Sequence, residues 1–310
     1  MRIEELILRG VGPFEEARFV FPAGRDPDLA DVHLLVGPNG SGKTTALRAI
    51  AQFLSVMDVG LAGRTWGDSP LYLRTDAGWN ALTDNASRTS LDDPDGEPLW
   101  NGFPTVAFPG KAPFRHWGQW AESHVRDGRQ IAFFGYASDR PMFGTPEAQG
   151  AEWSTTDTAD LVTWIQNQIT KAALAQARQD AGAAERHLLP VRTVEQALSR
   201  LWGRLLRFEL REEPLTLMMR VDGAAVPTDH LPSGLQTTLA WLGDLMMWLD
   251  RGETPPGQSP LHQPVVLLLD EITVHLHPAW QRQILPLVQR LLPKAQIFLA
   301  THSPFVVASA

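Results

Sequence analysis

The sequence predicts an α/β fold built on a central sheet of buried strands, and three observations predict it. Residues 32–36 (Val-His-Leu-Leu-Val) form an apolar strand that runs into Gly37-Pro38-Asn39-Gly40-Ser41-Gly42-Lys43-Thr44-Thr45, after which Ala46 to about Val56 follow helical spacing. Residues 265–269 form a second apolar run that stops at Asp270-Glu271. Residues 296–300 form a third, stopping at Thr301-His302-Ser303-Pro304. Such runs read as strands buried on both faces, and in open α/β sheets the residues at the carboxyl ends of the strands line the ligand edge.

The remaining elements follow in order. Residues 3–8 and 17–21 alternate as two short strands joined by a turn at Gly10-Val11-Gly12-Pro13. From about Gly60 to Gly128, Pro, Gly, Asp and Trp are scattered without a sustained period, which predicts an irregular insertion. Trp66, Trp79, Trp100, Trp117 and Trp120 read there as packing anchors, with a nucleic-acid stacking surface as the alternative. Residues 131–136 form another buried strand. Residues 158–180 and 193–207 carry helical patterns separated by a Gly-Ala-rich break and Pro190, long enough for a small helical lobe and too short for a coiled-coil arm. A hairpin (208–211 and 215–221) precedes a helical run that opens at Leu231-Pro232-Ser233-Gly234, residues 252–264 form a loop, and 279–292 form the last long helix.

The chain therefore divides into 1–60 with the glycine-rich loop, 61–130 as the insertion, 131–230 as helical lobe and connecting strands, and 231–310 returning to the first lobe, all parts of one composite domain. At 310 residues and 44% hydrophobic, it is long enough to bury a sizeable core. The net charge of −8 argues against coating nucleic acid by bulk electrostatics. The absence of cysteine excludes disulfides, thiolate zinc sites and cysteine nucleophiles. Neither a signal peptide nor a membrane span is read in the sequence, so a cytoplasmic protein with no membrane partner is expected.

Gly37 to Thr44 fits the pattern Gly, four residues, Gly-Lys-Ser/Thr, between a strand and a helix. The glycines let backbone N–H groups turn inward, so Gly37, Asn39, Gly40, Ser41, Gly42, Lys43, Thr44 and Thr45 form a phosphate cradle. Lys43 is placed for the β- and γ-phosphates of ATP and the Thr44 hydroxyl for Mg²⁺. Asp270 would hold the Mg²⁺ shell, Glu271 would orient or deprotonate the attacking water, and His302 would contact the γ-phosphate. His275 and His277 lack the acid ligands a zinc site needs. Ser233 and Gly234 offer free N–H groups, a hydroxyl and the positive end of a helix dipole, a second anion site for which the neighbouring sequence supplies no anion.

Phosphate loop, Ser-Gly helix start, acid pair and histidine occur in the order found in ATPases of the ABC class, and the chain resembles the heads of SMC-like and OLD-like proteins. The stretch from Leu269 to Gln281, with Ala300-Thr301-His302-Ser303-Pro304 after it, is similar to the ATPases that accompany nucleases in Septu and retron anti-phage systems. The resemblance implies an ABC/SMC-like phosphate-loop NTPase fold, with a mixed central sheet, flanking helices, a small helical lobe and an irregular insertion. It implies catalytic roles for Lys43, Glu271 and His302, and the signature role for Ser233 and Gly234. It also implies a head-to-tail homodimer, or a higher oligomer, in which each signature helix faces the ATP of the other copy. His277 stands where transporter subunits place an Asp, which favours the OLD-like branch. Pro232 departs from the residues common before the signature Ser-Gly. The family's Q-loop glutamine has only Gln130 as a candidate, and Tyr136 and Arg140 lie where this branch often has a conformationally sensitive loop.

The expected function is an ATP-hydrolysing head whose dimer regulates an effector nuclease, separate or fused beyond Ala310, where the resemblance implies a C-terminally truncated domain. DNA is then reached through the complex. The alternatives are a DNA-clamping repair or chromosome-type head and a transporter energy subunit. No nuclease constellation occurs within residues 1–310.

Overall fold

The computed structural model describes residues 2–24, 26–54, 71–76, 78–82, 132–137, 158–251 and 259–310. The side chains of the five tryptophans above, Gln130 and Arg140 lie outside the described residues.

Four parallel strands form the central sheet in the order β3 (Asp31–Val36), β11 (Ala295–Thr301), β10 (Val265–Asp270) and β6 (Ala132–Ala137). Their register brings Val36 opposite Thr301, and Ala300 and Ala137 opposite Asp270, so these strand ends share one edge. The period-2 alternation of β10 sorts its apolar run between two cores. Val265, Leu267 and Leu269 face a core that includes α2 (Thr158–Ala177), α3 (Ala181–Trp202), α4 (Ser233–Arg251) and α5 (Pro278–Leu291), whereas Val266 and Leu268 face α1 (Lys43–Leu54) and β1 (Ile3–Val11). In β11, Ile297 and Leu299 join the first core and Phe298 and Ala300 the second. A sheet covered on both faces explains why these strands carry continuous apolar runs.

The mixture of parallel and antiparallel pairing is divided between separate sheets. A second sheet has the antiparallel order β2 (Phe14–Val20), β1, β4 (Leu71–Thr75), β5 (Gly78–Leu82), and a third has β7 (Leu206–Arg211), β8 (Thr216–Val221), β9 (Ala224–Pro227). Strands β4 and β5 lie within the stretch expected to be irregular. Leu71 and Leu73 are fully buried against β1, so tertiary pairing orders a segment whose surrounding Pro, Gly and Asp hide its strand character. The β1–β2 hairpin is also longer than expected. It turns on Gly12 and Pro13 alone, with Gly12 at φ +53, and Val11 pairs with Phe14.

The helical lobe corrects a second expectation. Only residues 178–180 separate α2 from α3, and Pro190 sits inside α3. Proline removes one N–H bond and ordinarily costs about 3 kcal/mol in a helix interior. Here Val191, Val194, Leu198 and Leu201 bury one face of the same helix, and at roughly 1.5–3 kcal/mol per buried aliphatic side chain that burial outweighs the break. Asp180 caps the start by accepting from the N–H of Ala183, and Gly203 closes the end at φ +72.

Gln296 ties the two main sheets together. Its Oε1 accepts from the N–H of Ile3 (2.8 Å), and its Nε2 donates to the Ile3 carbonyl (2.7 Å) and lies 3.0 Å from His33 Nε2. Burial, with Arg2 adding to it, pushes the His33 pKa down to about 4, so the ring is neutral at pH 7 and able to accept that bond. Among the described residues no helix is long and apolar enough to cross a membrane.

Candidate nucleotide site

Residues 37–42 connect β3 to α1. Gly40 and Gly42 have φ of +77 and +92, values that side-chain-bearing residues rarely adopt. A Cβ on Gly42 would lie 2.4 Å from Phe14 Cζ and 2.7 Å from Pro13 Cγ, and one on Gly37 would lie 2.7 Å from Ser41 Oγ. The tip of the β1–β2 hairpin thus rests on the loop and fixes its curvature. Ala46, Leu47, Ala49, Ile50 and Ala51 bury one face of α1, which holds the helix N-terminus at the carboxyl edge of the sheet.

Lys43 Nζ donates to the carbonyls of Gly37 (2.9 Å) and Pro38 (3.1 Å) and lies 3.7 Å from Glu271 Oε1. Glu271 has φ +52, a left-handed conformation, and its N–H donates to the carbonyl of Ala300. Both carboxylate oxygens meet His302: the His302 N–H donates to Oε2 (3.3 Å), and the ring Nδ1 lies 2.9 Å from Oε1. Phosphate-loop lysine, acidic residue and histidine from three separate stretches therefore converge, with the carboxylate between the two nitrogens.

Asp270 lies at the floor of this cluster. Burial pushes its carboxyl above the usual carboxylate range; a side-chain hydrogen bond from Thr44 opposes this, and the neighbouring Glu271 carboxylate adds to it. Its Oδ1 is buried with no hydrogen-bond partner. An orphaned carboxylate oxygen beside a hydroxyl already bonded to the same carboxylate supplies hard oxygen donors of the kind a magnesium ion takes, so these residues fit that ion.

Ser233 is the first residue of α4, and Leu235 and Gln236 both donate to Pro232 O. Ser233 is exposed, whereas Gly234 is buried against the turn after β10: a Cβ there would lie 2.7 Å from His275 O. No hydrogen bond among the described residues joins Ser233 to residues 37–45 of its own chain. His277 caps α5 through its ring Nδ1, which accepts from Ala279 N–H (3.3 Å).

Three contacts of the site have no signal in the sequence, although Tyr136 itself is singled out there. The Tyr136 hydroxyl donates to Asp244 Oδ2 (2.7 Å), tying β6 to α4, and burial raises both pKa values. Arg48 lies one helical turn after Thr44, close enough to Asp270 for its charge to oppose the rise in that carboxyl's pKa. Gln281 bridges two loops. Lone polar residues of these types are common on any helix, and only the tertiary arrangement distinguishes them.

The fold is that of an SMC-like head carrying a phosphate loop, and two stretches of the chain match AAA-domain families. Residues 161–308 match the family described as "AAA domain, putative AbiEii toxin, Type IV TA system", and residues 1–59 match an "AAA domain" family. The chain is 32% identical over 114 residues to "Retron Ec83 probable ATPase" of Escherichia coli, covering 37% of this chain and 21% of that protein. It is 28% identical over 102 residues to "Septu protein PtuA" of Bacillus thuringiensis, covering 33% of this chain and 26% of that protein. The matched segments thus span only a fifth to a quarter of these relatives. In architecture it is similar to an SMC head solved bound to the C-winged helix domain of ScpA, with a TM-score of 0.51 at 16% identity over 100% of this chain and 92% of the other. Over these segments the chain is similar to a retron probable ATPase and to a Septu protein.

Proposed function

We propose that the chain is an ATP-binding and hydrolysing head that closes head-to-tail on a second copy around ATP, and that this dimer regulates an effector nuclease in anti-phage defence. The nuclease is either a separate partner or a further part of the same polypeptide. The observation that carries the proposal is the orphaned Asp270 oxygen beside Thr44, under a phosphate loop whose lysine faces the Glu271–His302 pair.

In this reading the N–H groups of Asn39 to Thr45 receive the phosphates, and Lys43 exchanges the Gly37 and Pro38 carbonyls for the β- and γ-oxygens. Thr44 and Asp270 would hold Mg²⁺, which would supply positive charge against the phosphates. Glu271 orients the attacking water and accepts its proton; His302 donates toward the γ-phosphate. Ser233 and Gly234 of each copy supply the helix mouth that completes the other copy's site.

Mg²⁺-dependent ATP turnover by the purified chain tests this reading. Asp270→Asn is expected to lower turnover on the order of 10²-fold and to raise the Mg²⁺ concentration needed for half-maximal rate. Turnover unchanged in rate and in Mg²⁺ dependence would overturn the assignment. A DNA-clamping head is the second reading, favoured by the SMC-head architecture. ATP-dependent retention of DNA by the isolated chain would support it, and the effector reading expects none without the partner.

A further inference from the structure

We propose that Gln281 is a positioning residue that couples the exposed turn after β10 to the loop of His302, so that the position of the turn sets the geometry of the Glu271–His302 pair. The inference rests on the roles proposed for Glu271 and His302 and adds a residue for which the sequence reading had no role.

The geometry is specific to a carboxamide. Gln281 Nε2 donates to the carbonyls of Thr273 (3.1 Å) and Leu276 (2.8 Å), and its Oε1 accepts from the Ser303 hydroxyl. Two donors on one side and an acceptor on the other are needed together, and of the side chains of this length only Gln supplies both. Glu would lose both donors. Met would keep the volume and lose all three bonds.

The two loops follow adjacent strands, β10 and β11, and backbone pairing holds them together only as far as the Glu271 N–H to Ala300 bond. Beyond that point the side chains of Gln281 and Glu271 make the ties. Ser303 is buried, its N–H donates to Thr301 Oγ1, and its own hydroxyl oxygen accepts from Val306 N–H, so it is a fixed point next to His302. On the outer side of the turn, Val274 is 47% exposed, and the His275 carbonyl packs against Gly234 at the mouth of α4. Gly234, the turn, Gln281, Ser303, His302 and Glu271 thereby form one continuous series of contacts in a single chain. Movement of the turn or the signature helix, as when a second copy engages that face, is transmitted through the Gln281 amide to the pair that handles water and γ-phosphate.

The test has an arm that needs no catalysis. In the nucleotide-free full chain, the His302 ring resonances are identified by their loss in His302→Ala. Gln281→Met and Gln281→Glu are expected to displace them while leaving those of His33, which neighbours Gln296 and Phe21, in place. Ser303→Ala cuts the same tie with a smaller change and is expected to displace the same signals. In ATP turnover, Gln281→Met should lower kcat on the order of 10-fold with KM within about 3-fold, and the defect should vanish in a Glu271→Gln background. Unmoved His302 signals in both Gln281→Met and Ser303→Ala would overturn the coupling. So would a Gln281→Met defect of equal size with and without Glu271. A parent chain that turns over no ATP would contradict the proposed function, whereas the resonance arm would still decide the coupling.

Discussion

Lys43→Ala is expected to abolish ATP binding detectable by calorimetry. The Lys43 side chain is 9% exposed, so its charge acts where water screens little, and its ammonium lies 3.7 Å from the Glu271 carboxylate. Removing it leaves Glu271 and Asp270 facing a triphosphate without the cation between them. Hydrogen bonds to charged groups are worth about 1.5–3 kcal/mol each, so losing two such contacts to the phosphates predicts on the order of 10²–10⁴-fold weaker binding. The fold should survive, because α1 is held by the apolar face from Ala46 to Ala51 rather than by Lys43. Affinity within a few-fold of the parent would count against the site.

Glu271→Gln is expected to bind ATP with near-parental affinity and to hydrolyse it on the order of 10²–10⁴-fold more slowly. The amide has the size of the carboxylate and can still accept from the His302 N–H, so the two loops remain joined. What disappears is the base. A variant that binds and does not turn over should accumulate as an ATP-bound dimer, visible as an increase in light scattering on adding ATP. Single-turnover hydrolysis at the parental rate would remove Glu271 from the mechanism.

Much of the site was legible because its determinants are local. The phosphate loop declares itself through glycine spacing alone, and two of its glycines do occupy φ values that need glycine. Strands β10 and β11 were legible because burial on both faces demands continuous apolar runs, and their last residues had to fall at the sheet's carboxyl edge. The Ser-Gly start of α4 was legible as a helix mouth. Other features depended on partners distant in sequence. Leu71 to Thr75 become a strand by pairing with β1, and Pro190 is tolerated because the part of α3 that follows it, from Val191 to Leu201, packs into the core. How the described strands divide between parallel and antiparallel sheets is set by which edges meet, and alternation patterns carry no such information. Gln281 has its role only because two loops approach each other.

The central claim is that the helix mouth of one copy completes the phosphate loop of another. Ser233→Arg places a bulky cation at the mouth and leaves that chain's own loop intact; Lys43→Ala does the reverse. Each should be inactive alone. A heterodimer of the two joins both damaged halves in one composite site and both intact halves in the other. If the helix mouth served its own chain, every site in the mixture would carry a defect. Single-turnover hydrolysis is measured on heterodimers isolated through different tags on the two chains. Hydrolysis of one ATP per heterodimer is the predicted result, and none in verified heterodimers would contradict the account.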